Sequence, residues 1–336
     1  MNQIKNTVAF PFSRPVKVGI VGTGYAAKRR AEAFQNDDRS TVVVVTGNTP
    51  ENTEAFCQNY AVAPINSWQQ LVSHPDIDLV ALCNINQGRG AIARAALLAG
   101  KHVVTEYPLA LSYQEAEEIV ALSQKQNKLL HIEHIELLGG LHQAIRQSLP
   151  EIGDTYYARY ATIAPQRPAP SRWTYHYEMF GFPLMAALSR IHRLTDLFGT
   201  VASVTCQARF WNATEMGYYK ACLCNAQLRF TNGVMADVIY GKGDVFWSGD
   251  RTFQLHGDKG TLIFEGEAGN LIRDEEKTTI EVASRKGLFV KDTQMVLDCL
   301  IEGTPLYINP TASLYAMKVA QAAYQSAKTG VTIDVS

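Results

Sequence analysis

The chain of 336 residues has almost no excess charge of either sign: 31 Lys and Arg stand against 32 Asp and Glu, a formal net charge of −1. Without a global basic field, nothing in that total draws it to nucleic acid or to an acidic membrane surface. It also lacks any apolar run approaching the roughly 18 residues of a membrane span. Residues 1–10 lack the basic and apolar regions of a secretory leader. The six cysteines (Cys57, Cys83, Cys206, Cys222, Cys224 and Cys299) are scattered with no C-x-x-C pair, which argues against a zinc site. Cys222 and Cys224 lie two apart in a strand-like stretch, as packing thiols on one face would. The expectation is a cytoplasmic, metal-free protein without nucleic-acid or membrane partners.

What is present is enough apolar material for a full core. A hydrophobic fraction of 46% with 19% charged residues is that of a folded globular chain, and the length favours two domains. From Val16 to about Pro150, short apolar runs alternate with helical patterns. Val16–Val21, Thr41–Thr46, Ile77–Cys83, His102–Thr105 and Leu129–Ile132 read as strands. Helices read at Tyr25–Gln35, Gly90–Ala99 and Tyr113–Gln126, the last opening with Ser112 and Glu115 spaced as a capping box. Strands separated by such helices predict parallel βαβ units. The remainder reads as strands at Asp154–Thr162, Ser203–Phe210, Tyr219–Phe230, Val234–Tyr240, Thr252–His256 and Gly260–Phe264, with helices at Pro183–Phe198, near Lys291–Ile301 and at Thr311–Lys328. The expected fold is α/β: a doubly wound parallel domain over residues 1–150, then an α+β domain over 151–336 built on a mostly antiparallel sheet.

Gly22-Thr23-Gly24-Tyr25-Ala26-Ala27 fits G-x-G-x-x-A between the first strand and its helix. Gly22 permits the tight turn, Gly24 lets the backbone approach a pyrophosphate, and Ala27 lets helix and strand pack closely. The helix N-terminus then offers N–H groups to the phosphates. The second strand ends in Gly47-Asn48-Thr49, with no acid until Glu51. An NAD site usually carries a carboxylate there for the ribose hydroxyls. Asn48 and Thr49 can instead donate to a 2′-phosphate, with Lys28, Arg29 and Arg30 available to add charge. NADPH is therefore the expected cofactor, with NADH a weaker donor. Asn84, Asn86 and Gln87 follow the strand ending at Cys83 and are expected beside the ribose or nicotinamide.

Several further segments carry a resemblance. Gly100-Lys101-His102-Val103-Val104-Thr105-Glu106-Tyr107-Pro108 resembles the GKHV…EKP signature of the Gfo/Idh/MocA oxidoreductases. Phe230–Gly233, His256–Thr261 and Ser326–Gly330 are similar to segments of that family's second domain. The resemblance implies a Rossmann domain followed by an α/β domain whose large sheet carries the substrate and often an oligomer interface, so that the chain would be a monomer or a homodimer through that sheet. It implies that Glu106 bonds ribose or backbone. The family's sugar dehydrogenases use the Lys of EKP and a His in D-x-G-x-H to take a proton from a hydroxyl. Here Tyr107 stands at the Lys position, and no Asp lies four residues before His192. A phenol with an ordinary pKa near 10 is a poor base at neutral pH, so polyol oxidation is disfavoured, with His192 alone to sustain it. Glu-Tyr-Pro resembles the biliverdin reductase branch of the family, of cyanobacterial type. That implies NADPH-dependent reduction of the central methine bridge of biliverdin IXα to bilirubin IXα. The alternatives are a sugar or cyclitol dehydrogenase and a non-catalytic NADP-binding sensor or scaffold.

A flat tetrapyrrole with two propionates needs stacking surface and cations. Between Pro165 and Thr195 there are Arg167, Arg172, Arg190 and Arg193 against one acid, Glu178, and an Arg fork can bind both carboxylate oxygens. Arg190, Arg193, Arg172 and Tyr107 are the expected substrate contacts. Arg190, Tyr107 and His192 are the catalytic candidates: Arg190 to stabilise charge and order a water, His192 to give a proton, Tyr107 to orient substrate or water. His131, Glu133, His134 and Glu136 superficially resemble a metal cluster, but alternation along a continuing strand would split them between two faces, leaving hydrogen-bonded linker residues.

Overall fold

The computed structural model describes residues 15–266, 268–274 and 276–335. The chain forms two compact units, one running to Ile135 and including Gly287–Leu314, the other comprising Glu136–Lys286 and the residues from Tyr315 onward.

In the first unit six parallel strands, β1 (Val16–Val21), β2 (Ser40–Thr46), β3 (Ala63–Pro64), β4 (Leu79–Leu82), β5 (His102–Thr105) and β6 (Leu130–Ile132), lie in the order β3-β2-β1-β4-β5-β6. This is the doubly wound order whose direction reverses beside β1. Central strands covered on both faces must be apolar throughout, and β4 (LVAL) is buried at every position. The helix Tyr25–Gln35 returns against the sheet through Ala27, Ala31 and Phe34, one apolar stripe. A helix from much later in the chain, Leu288–Glu302, joins the same core through Val296, Leu297 and Leu300. Each such Leu or Val contributes roughly 1.5–3 kcal/mol by burial.

That late helix also brings a charge inward. Asp292 is fully buried and forms an ion pair with Arg30, which is 1% exposed. Asp292 further accepts from Tyr307 Oη at 2.8 Å and meets His131 Nε2 at 2.8 Å, while Arg30 also donates to Thr293 Oγ1 at 3.0 Å. Arg30, expected with Lys28 and Arg29 to add charge for the phosphates, instead points its guanidinium into the core, whereas Lys28 and Arg29 are exposed.

The second unit holds nine strands: β7 (Thr155–Pro165), β8 (Val201–Asn212), β9 (Tyr219–Phe230), β10 (Met235–Gly243), β11 (Asp250–Gly257), β12 (Gly260–Glu265), β13 (Ala268–Arg273), β14 (Glu276–Ile280) and β15 (Ile333–Asp334). Their order is β14-β13-β12-β11-β7-β10-β9-β8-β15, antiparallel except where β7 pairs with β10. The α/β class with a mostly antiparallel second sheet is as expected. The helix expected over Pro183–Phe198 is broken: Pro183–Ala186 and Ser189–Phe198 are separate, with Ala187 at φ −99°, ψ 40°. The break lets Ser189–Phe198 bury Ile191, His192, Arg193, Leu194 and Phe198 on its own axis.

Asp292→Asn would remove the main counter-charge of the buried Arg30, leaving it only the Glu106 carboxylate at 3.6 Å. Loss of one partner of such a pair costs about 3–5 kcal/mol, so the urea midpoint of the variant should fall well below that of the parent, measured by circular dichroism at pH 7.

Candidate active site

In the first unit, four short segments converge at the carboxyl ends of the strands. Gly22 adopts φ +116°, and a Cβ there would sit 2.6 Å from the Cys83 carbonyl oxygen, so only glycine lets the turn lie against the end of β4. Its N–H donates to Thr46 O at 2.7 Å. A Cβ on Gly47 would fall 2.8 Å from Thr23 and from Thr53, which fixes the 47–49 segment beside the glycine turn. Gly24 is the N-cap of the helix Tyr25–Gln35, with no side chain capping the first turn, and space for 4 Å around its Cβ position. An uncapped helix N-terminus facing open space is what a pyrophosphate requires. Ala27 is fully buried beneath it, Ala26 is partly covered and Tyr25 is exposed. These residues fit a dinucleotide.

At the end of β2, Asn48 is exposed and Thr49 caps the helix Pro50–Tyr60, its Oγ1 accepting from Asn52 N at 3.2 Å. The Thr49 hydroxyl proton remains to be directed elsewhere. Asn48 Oδ1 accepts from the Asn52 side chain at 3.1 Å. After β4, Asn84 is half-buried, Asn86 buried and Gln87 exposed. These segments are held by a residue that sequence reasoning missed. Arg89, buried at a helix N-terminus where a cation is unfavourable, donates to the carbonyls of Glu106 (3.1 Å) and Pro108 (2.9 Å) and to that of Asn84. It ties the loop after β4 to the loop after β5. No local pattern flags it, since its partners are backbone oxygens.

Glu106 lies 3.6 Å from Arg30 Nε. Burial, the Glu106 and Asp292 charges and a hydrogen bond to Glu106 push the Glu133 carboxyl well above the usual carboxylate range. Tyr107 stacks on His134, centroids 5.0 Å apart and planes 6° apart. His134 Nε2 in turn meets Ser313 Oγ at 2.8 Å. His131 and His134 thus go to Asp292 and Ser313, and Glu133 accepts from Ile135 N at 2.8 Å.

In the second unit, Arg190 and Arg193 share a helix but have different surroundings. Arg193 is buried and donates to Glu136 Oε2 at 2.7 Å; Arg285 meets the other oxygen. Burial pulls the Glu136 carboxyl upward, yet Arg193, Arg285 and Arg190 outweigh it and hold the group below its usual range. Arg190 is half-buried, its guanidinium 5.5 Å from the Tyr240 ring centroid and bonded to Ser189 Oγ at 2.9 Å. Burial lowers His192 to about 4, so its ring is neutral at neutral pH. Arg172 is exposed, held by Thr174 Oγ1 at 2.9 Å and Gln166 Oε1 at 3.3 Å.

Tyr240 borders an aromatic cluster centred on Tyr175, Phe180 and Tyr219, with Trp173, Tyr177, Phe210 and Tyr218 packed around it. Inside it sits a second residue missed in the sequence, Lys242, with its Nζ over the rings of Phe180 (3.5 Å), Tyr175 (4.7 Å) and Tyr219 (5.5 Å). The only available signal was its position on the Tyr240 face of β10, two residues on.

Residues 16–134 match the oxidoreductase family model for the NAD-binding Rossmann fold, Gfo/Idh/MocA, and residues 146–335 match that family's C-terminal alpha/beta domain. A crystal structure of biliverdin reductase in complex with biliverdin and NADP+ from Synechocystis sp. PCC 6803 superposes with a TM-score of 0.92 at 58% identity, covering 94% of this chain and 99% of that one. Biliverdin reductase A of Mus musculus is 26% identical over 288 residues, 86% of this chain and 87% of its own. Levoglucosan dehydrogenase in complex with NADH and levoglucosan, at 16% identity and a TM-score of 0.81 over 96% of this chain and 100% of its own, shares the fold. With both of its halves matched in order, the chain belongs to the Gfo/Idh/MocA oxidoreductase family.

Proposed function

We propose that the chain is a biliverdin reductase: it adds one hydride and one proton to biliverdin IXα, saturating the central methine bridge to give bilirubin IXα. The observation that carries this reading is 58% identity over 94% of the chain to a biliverdin reductase holding biliverdin and NADP+. Tyr107 in place of the family's lysine supports it, because a reduction has no hydroxyl proton to remove. The proposed setting is the cytoplasm, where six unpaired thiols stay reduced, and the proposed role is a step of haem degradation.

Bound NADPH supplies the hydride. The Gly22–Ala27 turn and the uncapped first turn of the helix Tyr25–Gln35 hold its pyrophosphate. Asn48 and Thr49 donate to its 2′-phosphate. Asn84, Asn86, Gln87 and Glu106 position the ribose and nicotinamide end. Hydride arrival at the methine carbon leaves negative charge on the conjugated nitrogens and lactam oxygens of the bilin. Arg190 stabilises that charge and orders the water that protonates a pyrrole nitrogen. Its own proton is not the one transferred, since a guanidinium stays charged. His192, neutral at pH 7, would be a weak acid in that step, so proton delivery is assigned to the water. Tyr107 orients substrate or water and Arg172 serves a propionate in this reading; Arg193, expected as a second such contact, is instead buried and taken up by its bond with Glu136.

Mixing protein, NADPH and biliverdin should turn the green chromophore yellow. Absence of that change from pH 5 to pH 9, with NADPH bound, would sink the reading. Arg190→Ala should lower kcat about a hundredfold or more, the cost of removing a donor aimed at developing charge, while NADPH affinity survives in fluorescence titration.

Cofactor choice gives an independent check. Asn48→Asp puts a carboxylate where the 2′-phosphate is proposed to lie. It should weaken NADPH binding by about tenfold or more, equivalent to roughly 1.4 kcal/mol, and tighten NADH binding. Equal effects on the two cofactors would remove Asn48 from phosphate recognition.

A further inference from the structure

Lys242 is 7% exposed, and a buried ammonium normally has a carboxylate beside it. Among the described residues no carboxylate forms a salt bridge with it. The groups facing it are Cys222 directly across the β9–β10 pairing, Arg172, and the phenols of Tyr175 and Tyr219. Burial raises the Cys222 thiol to about 11, so it offers no negative charge at neutral pH. What receives the ammonium is three ring faces and one backbone oxygen, the Thr174 carbonyl. Tyr219 Oη donates to that same oxygen at 2.9 Å.

Thr174 lies in the short turn Trp173–Tyr175, and this turn is the footing of Arg172. Arg172 Nε donates to Thr174 Oγ1, its carbonyl accepts from Tyr175 N at 2.8 Å, and its fork shares Gln166 Oε1 with Tyr175 Oη. Gln166 is itself fixed to the end of β10 by its N–H to Gly243 O at 3.1 Å. The exposed arginine therefore stands on a frame pinned to the sheet at one carbonyl by a buried cation.

We infer that Lys242 is a positioning residue of the substrate site: by clamping the Thr174 carbonyl from within its ring box, it preorganises Arg172 to receive a carboxylate of the substrate. The inference rests on the biliverdin reductase reading and names the substrate group served, a propionate. Preorganisation matters here because an exposed arginine otherwise loses side-chain entropy each time it binds. Burial brings the Lys242 ammonium down to about 7. The charge of the clamp is accordingly present at pH 6 and lost as the pH rises through 7, leaving a neutral amine that donates more weakly, and carboxylate recognition should weaken with it.

The test compares KM for biliverdin with KM for its dimethyl ester, whose propionates carry no charge. In the parent protein the preference for the diacid should be high at pH 6 and fall about tenfold by pH 8, following the protonated fraction of a group titrating near 7. Lys242→Met should raise KM for the diacid about tenfold at pH 6, the size of one charge-assisted hydrogen bond. It should leave the ester's KM within about twofold and abolish the pH dependence of the ratio. Lys242→Arg, which stays charged, should keep the preference up to pH 8. A parent preference that does not change from pH 6 to pH 8 would overturn the inference without any variant being needed. So would a folded Lys242→Met protein that still favours the diacid as the parent does. Failure of the parent to reduce either bilin would instead overturn the biliverdin reductase reading.

Discussion

The buried pair of Arg30 and Asp292 is the constraint on which the first unit depends. Arg30 lies on the helix that opens with the glycine turn, and Asp292 on a helix that arrives 262 residues later. Taking both charges out of water costs several kcal/mol per ion, recovered only if every remaining hydrogen-bonding position is used. Asp292 draws on Arg30, His131 and Tyr307 together to offset that cost. The consequence is geometric. The same contacts hold the helix behind the phosphate turn, the end of β6 and the segment bearing Tyr307, and they set Glu106 at the edge of the Arg30 guanidinium. Burial, together with the charges of Glu106 and Asp292, is also what raises the Glu133 carboxyl above its usual range. Two neighbouring carboxylates facing one guanidinium that Asp292 already neutralises cannot both ionise cheaply.

The second unit handles its cations differently. Arg193 takes the ordinary course of a buried guanidinium, pairing with Glu136, which Arg285 also meets. Among the described residues Lys242 meets no acid, and it relies on ring faces and a carbonyl. Pairing fixes a charge at all accessible pH values, whereas an unpaired buried ammonium remains close to losing its proton. One unit thus contains a permanent charge pair and a group whose charge depends on pH near neutrality. Arg190 falls between these cases: half-buried, over the Tyr240 ring, and within electrostatic reach of Glu136.

What could be read in the sequence follows from what is local. The glycine turn, β4 and β9 are visible because a turn conformation, a doubly buried strand and an alternating strand each leave a pattern within a few residues. β13 and β14 leave almost none: Glu276–Ile280 is exposed along most of its length and short, so pairing, not hydrophobicity, makes it a strand. The break at Ala187 is equally silent, as the residues on both sides suit a helix. Long-range partners were out of reach altogether. Nothing within 288–302 says that Asp292 neutralises Arg30, and nothing near Arg89 says that three carbonyls from separate loops await it. Spacing along Ser189–Phe198 allowed Arg190 and Arg193 a common face; only Glu136, 57 residues earlier, separates their environments.

The substitution of Tyr107 for the family's lysine now has a physical counterpart. An alcohol oxidation must remove a proton and then a hydride, so it needs a base beside the substrate. A hydride delivered to a conjugated bilin creates negative charge and needs the reverse: cations and a proton source. The described residues follow that second requirement. Tyr107 stacks on His134, His192 is kept neutral by burial, and the cations of the 165–195 stretch lie at different depths, from exposed Arg172 through half-buried Arg190 to buried Arg193. A near-zero net charge conceals this ordering, because Asp292 and Glu136 cancel Arg30 and Arg193 in the interior. Under the biliverdin reductase reading proposed above, it is the depth at which each cation sits, more than the number of cations, that matches a dianionic pigment gaining a hydride.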